Sequence, residues 1–149
     1  MQEYLETTVD KFVFRVATDR LYSSDGVWAR VEGDRVRVGP TDYLQQRGGD
    51  VAFVHVKAVG TRLAGGDELA ELETIKVNQS LFSPLGGTVA EVNSNLSLTP
   101  EIINEDPYGK GWLAVIEAAD WEADRAKLLD AEAYLSAMRL QAEQELNGS

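Results

Sequence analysis

A chain of 149 residues, 44% apolar and 26% charged, suits one globular domain able to bury a substantial core. Its net charge of −11 argues against nucleic-acid partners, which need clustered Lys and Arg, and fits docking onto basic protein surfaces. The lack of cysteine excludes disulfides, thiol nucleophiles and cysteine-ligated metals; the lack of a long apolar run, with acids in MQEYLETTVDKF where a leader needs positive charge, makes a cytoplasmic location without a membrane partner the expectation.

In chain order, KFVFRVA alternates like a strand and is the one strand-like run expected within an N-terminal extension over residues 1–21. WARVEG and RVRVG follow, turning at Glu32-Gly33-Asp34. Thr41 or Asp42 can cap a short helix, TDYLQQR, that stops at Gly48. DVAFVHVKAVG is a strand holding the only histidine, His55; one imidazole makes no metal site by itself. ELAELE, QSLFS and GTVAEVN are further strands. Thr99-Pro100 begins a helix over PEIINED that must end before Pro107, and WLAVIEA is the last strand. Short strands with glycine turns at this spacing predict a mainly β sandwich or barrel over residues 22–119. Over 120–149 the pattern changes. Trp121 to Leu146 contains no Gly or Pro, and Leu128, Ala131, Leu135, Met138 and Ala142 recur at spacings of three and four. This predicts an amphipathic helix, broken near Asp130 and packed on its own domain.

The middle of the chain is weakly duplicated. GDVAFVHV followed by GGDELAELE parallels GGTVAEVN followed by GKGWLAVIEA, and the halves meet at Thr74 to Gln79. A junction of this kind is an exposed hairpin turn with Lys76 at its tip. Between Arg62 and Lys110 there are eight acidic side chains and a single basic one, Lys76. A lysine on a stiff turn suits carrier chemistry, in which a cofactor supplies reactivity and the protein supplies position. On spacing alone an ordinary exposed lysine remains equally open.

An ordered set of residues resembles the H protein family of the glycine cleavage system. It runs through Trp28, Val31-Glu32-Gly33, Val38-Gly39, Thr41-Asp42-Tyr43, Gly49-Asp50, Phe53-Val54 and Glu73-Thr74-Ile75-Lys76. It continues through Ser83-Pro84, Gly86-Gly87, Glu91-Val92-Asn93, Ile103 to Gly109, Gly111-Trp112-Leu113 and LLDAEAY at 128–134. The resemblance implies a barrel-sandwich hybrid of the lipoyl-domain type with short helices and a C-terminal α-helix. It implies lipoate in amide linkage to Lys76, with Glu73 as the acid a lipoyl-attaching enzyme recognises. Ile75 and Val77 would set the turn and give the arm an apolar base; a biotin carrier would be expected to place methionine beside its lysine. The polypeptide itself would be non-catalytic and monomeric. Its partners would be a lipoate-attaching enzyme and client oxidoreductase or transferase proteins.

The sequence departs from the family in three places. The family's Asp-His-Glu-Trp is Asp25-Gly26-Val27-Trp28, His55 replaces a usual glutamate, and the extension lengthens the N-terminus. An extra edge strand there would reshape a docking face or cover a sheet edge. The missing histidine belongs to the region that shelters the aminomethyl-loaded arm in glycine cleavage. These changes favour a sulfur-carrying role similar to that of lipoate-binding proteins in heterodisulfide-reductase-like sulfur oxidation. The alternatives are the aminomethyl carrier of glycine cleavage and a non-lipoylated binding domain.

Overall fold

Period-two alternation and glycine turns produce a mainly β architecture in the computed structural model, which describes residues 1–148. β1 (Tyr4–Val9) and β2 (Phe12–Ala17) form an antiparallel hairpin closed by Val9 opposite Phe12. Asp10 takes the left-handed conformation in its turn, at φ 56°, which an aspartate tolerates better than most residues. β3 (Leu21–Tyr22), β4 (Val27–Glu32) and β5 (Arg35–Pro40) follow, then α1 (Asp42–Gly48), β6 (Val51–Val56) and β7 (Arg62–Leu63). β8 (Glu68–Thr74), β9 (Asn78–Phe82) and β10 (Gly87–Val92) lead through a 3-10 turn at Ser94–Ser97 to α2 (Ile102–Glu105). β11 (Ala114–Ala118), α3 (Trp121–Arg125) and α4 (Ala131–Gly148) complete the described chain.

Two sheets share one core. A six-stranded sheet has the order β3-β4-β5-β11-β10-β7, and a three-stranded sheet has the order β6-β8-β9. Val36, Val38 and Ile116 from the first meet Leu69, Leu72 and Leu81 from the second, all buried. Each such side chain contributes roughly 1.5–3 kcal/mol by leaving water.

A second core joins both ends of the chain. Val9, Phe14 and Val16 of the hairpin cluster with Tyr22, Trp28, Tyr43, Tyr134, Met138 and Ala142. Tyr22 and Tyr134 stack at 4.6 Å, and the Tyr134 hydroxyl lies 3.1 Å from Thr41 Oγ1. Burial raises the Tyr134 phenol to about 12, with the Thr41 hydrogen bond partly offsetting the shift. α4 packs chiefly against β1 and β2, so its apolar stripe covers the extension more than the sandwich.

Several sequence expectations meet their local cause. Thr41, not Asp42, caps α1 by accepting the Leu44 N–H, and Gly49 at φ 81° ends the helix. The C-terminal helix breaks before Ala131, where the Asp130 carboxylate accepts the Ala133 N–H at 2.8 Å.

The extension differs from the single strand expected there: it contains two strands. β1 escapes the sequence pattern because YLETTV is mostly polar or exposed, with only Thr7 and Val9 buried. The hairpin does not extend a sheet edge either. Side chains of α1 satisfy its backbone: Asp42 Oδ2 accepts the Arg15 N–H at 2.9 Å, and Gln46 Nε2 donates to the Val13 carbonyl at 2.9 Å.

Candidate functional site

β8 and β9 pair as far as Glu73 opposite Asn78, leaving Thr74 to Val77 as a tight turn. Thr74 organises it. Its N–H donates to the Val77 carbonyl at 2.9 Å, and its hydroxyl donates to the same oxygen at 2.7 Å. That hydroxyl also accepts the N–H groups of Lys76 at 3.3 Å and Val77 at 3.0 Å. A threonine bonding its own turn in this way rigidifies the backbone locally.

The base of the turn is pinned from outside. The Ile75 N–H donates to the Asp50 carbonyl at 3.4 Å. The flanking Gly49 carbonyl accepts Asn104 Nδ2 at 3.0 Å, while Asn104 Oδ1 accepts the Val51 N–H at 2.9 Å. The side chain at 76 therefore projects from a stiff support. Lys76 is exposed and its stem passes near Gly49, where an added Cβ would lie 3.7 Å from Lys76 Cε.

The residues singled out in the sequence converge here, with different parts. Ile75 is 82% exposed and Val77 half exposed, so the turn is set by Thr74 rather than by their side chains. Both leave apolar surface beside the lysine. Glu73 is half-buried on β8, one side of its carboxylate 3.5 Å from His55 Nε2. His55, Glu71 and Glu73 offer ligand atoms within 4.8 Å of one another. Register creates this grouping, because His55 faces Glu71 across the β6–β8 pair. Nothing local in the sequence marks it. Thr74, Asn104 and Asp50 were also missed as supports; the only available signal was a hydroxyl residue two positions before the lysine.

The Asp25-Gly26-Val27-Trp28 departure is absorbed structurally. Gly26 sits at φ 92°, its carbonyl accepting both the N–H and the hydroxyl of Thr41. Val27 is wholly buried in the main core. Neither position offers a titratable group.

These features meet a family-level match. A family model described as Glycine cleavage H-protein matches residues 20–141. The chain belongs to the glycine cleavage H-protein family. It is 44% identical over 114 residues to the glycine cleavage system H protein of Geobacillus thermodenitrificans, covering 76% of this chain and 88% of that one. It is 39% identical over 127 residues to the Thermus thermophilus H protein, covering 85% and 98%. A crystal structure of the Mycobacterium marinum H protein superposes with a TM-score of 0.71 at 31% identity, covering 89% of this chain and 98% of that one. H proteins are non-catalytic carriers holding lipoate covalently on a lysine. The lipoyl-domain-like barrel-sandwich expected from the resemblance is the fold found. These matches give the sulfur-transfer expectation no support and favour the aminomethyl alternative.

Proposed function

We propose that Lys76 bears lipoate in amide linkage and that the chain is the aminomethyl carrier of a glycine cleavage system. The observation that carries this reading is the exposed amine of Lys76 on a turn held by Thr74 and Asp50, inside the family-matched region. The donor set fits the group: acylation needs an accessible primary amine, and a chain without cysteine has no thiols of its own. When bound, the dithiolane supplies thiol–disulfide chemistry.

The protein's residues position that chemistry. Thr74 fixes the backbone from which the arm departs, and Asn104 fixes the loop behind it. Glu73 presents the acid that a lipoyl-attaching enzyme reads, three residues before the target. Ile75 and Val77 offer apolar contact beside the modified side chain. The lipoyl-attaching enzyme and the glycine cleavage enzymes are the partners, approached by a monomer in the cytoplasm. The acidic surface, net charge −11, speeds encounter with basic docking faces.

Two measurements test the reading. Intact mass after incubation with lipoate and a lipoate ligase should rise by one lipoyl group, and Lys76→Ala should show none. The lipoylated protein should then support carboxyl exchange between glycine and bicarbonate with a pyridoxal-phosphate-dependent glycine decarboxylase. Lipoylation without exchange would reject the aminomethyl cargo and restore a different one, sulfur included. No mass increase would favour a binding domain without the arm.

A further inference from the structure

Lys76 borders a groove of about 300 Å3. Val9, Phe12 and Phe14 of the hairpin line it, with Tyr43 of α1 and Ala142 and Leu146 of α4. Phe14 and Tyr43 meet edge to face at 5.2 Å. Phe12 is 41% exposed and Leu146 48% exposed, so large apolar side chains stand in water along it. Gln46, Arg47 and Glu145 complete the lining. Gln46 is engaged with Val13, Arg47 Nε lies 3.4 Å from Glu145, and the Tyr43 hydroxyl donates to Glu145 at 2.7 Å. The family match spans residues 20–141, so the whole hairpin and the last turns of α4 fall outside it. Most of the groove is thus made from segments that the family match leaves out.

We infer that this groove is the resting site of the lipoyl group on Lys76 in its oxidised, ring-closed form. The inference rests on the proposed lipoylation of that lysine. Acylation converts the ammonium into a neutral amide, which removes a cation from a groove that already holds Arg47. The acyl chain is apolar and matches the aliphatic and aromatic lining, while ring sulfurs gain from contact with Phe and Tyr edges. The groove volume lies at the lower end of small-molecule sites, suited to a slender chain and one small ring. The tether supplies a high effective concentration, so weak intrinsic affinity suffices. A second depression borders the turn through Val77, Asn78 and Gln79 and includes Ser24, Asp25 and Ser80; its more polar lining suits the ring less well. Docking between the hairpin and α4 covers the disulfide between partner visits, and a client enzyme that contacts the turn draws it out.

Full-length protein, with lipoylation of Lys76 verified by mass, is compared with the unmodified form by side-chain NMR. Resonances of Phe12, Phe14, Tyr43, Ala142 and Leu146 should shift on lipoylation. Reduction of the ring by a water-soluble phosphine should be severalfold faster in the Phe12→Ser, Leu146→Ser double variant than in the wild type. Both side chains are substantially exposed, and thermal melts of the unmodified variant check that it folds. Lipoate present on Lys76 with shifts confined to the turn or to the Asp25 and Gln79 depression, or with equal reduction rates, overturns the inference and leaves the carrier reading standing. Absence of lipoate from Lys76 overturns both, and the mass spectrum separates that case from the others.

Discussion

Thr74 Oγ1 bonds both the carbonyl and the N–H of Val77, at 2.7 and 3.0 Å, so one hydroxyl closes the turn that carries Lys76. Replacing it by valine keeps the bulk and removes these bonds. The turn should loosen at a cost of roughly 1 kcal/mol, since each exposed hydrogen bond contributes modestly. Lipoylation of Thr74→Val should slow by about fivefold in kcat/KM, read by timed intact mass, with a fall of only about 2–4 °C in melting temperature. An unchanged rate would show that the ligase imposes the turn itself.

Lys76 itself is expected to be dispensable for the fold. Its side chain is exposed, and substitutions of that kind usually change stability by less than about 0.5 kcal/mol. Lys76→Ala should match the wild-type urea midpoint and take up no lipoate. A strongly destabilised variant would mean that the lysine serves the fold.

Asn104 holds the loop behind the turn through bonds to Gly49, Val51 and Gln45. Asn104→Ala leaves partly buried backbone groups without partners, at a cost of roughly 1–3 kcal/mol. Urea unfolding should register the loss, and slower hydrogen exchange at Ile75 in the wild type than in the variant should trace it to the lysine turn.

Gly39 pairs with Trp28 across β4 and β5, and a Cβ there would come within 2.5 Å of the indole. The ring has nowhere to move: its Nε1 donates to the Pro107 carbonyl at 2.9 Å and the Arg20 guanidinium covers it at 4.5 Å. Gly39→Ala should destabilise by about 1–3 kcal/mol through overpacking, measured as a lowered urea midpoint.

Glu32 gives an acid-range signature. Hydrogen bonds from Arg37, at 2.7 and 2.9 Å, and from Arg30, at 2.9 Å, pull its carboxyl down to about 2 against an opposing effect of burial. A depressed carboxylate stabilises the fold above its ordinary range, and that contribution is lost as pH falls towards the folded value. Stability should therefore drop between about pH 5 and about pH 2.5 in the wild type, and drop less in Glu32→Gln, by urea titration at each pH. Partial exposure and solvent screening keep the difference small.

Local signals in the chain were enough to place the turn that carries Lys76 and most strands. Alternation marked β2, β4 to β6 and β8 to β11, and Thr41 and Asp130 marked helix ends, because each depends on neighbours within a few residues. The duplication around Thr74 to Gln79 located Lys76 at the tip for the same reason. β3 and β7 have two residues each, too short to carry a period, and β1 was disguised because only Thr7 and Val9 of its six residues are buried.

Tertiary packing alone decided the surroundings of the lysine. His55 meets Glu73 only through the β6–β8 register, and Asn104 reaches Gly49 only because α2 lies against the loop after α1. Phe12 and Leu146 come to one groove from opposite ends of the chain, since the buried stripe of α4 needs the hairpin's apolar face to leave water. Periodicity records that a residue will be buried; which distant surface buries it depends on shape complementarity formed when the chain closes on itself.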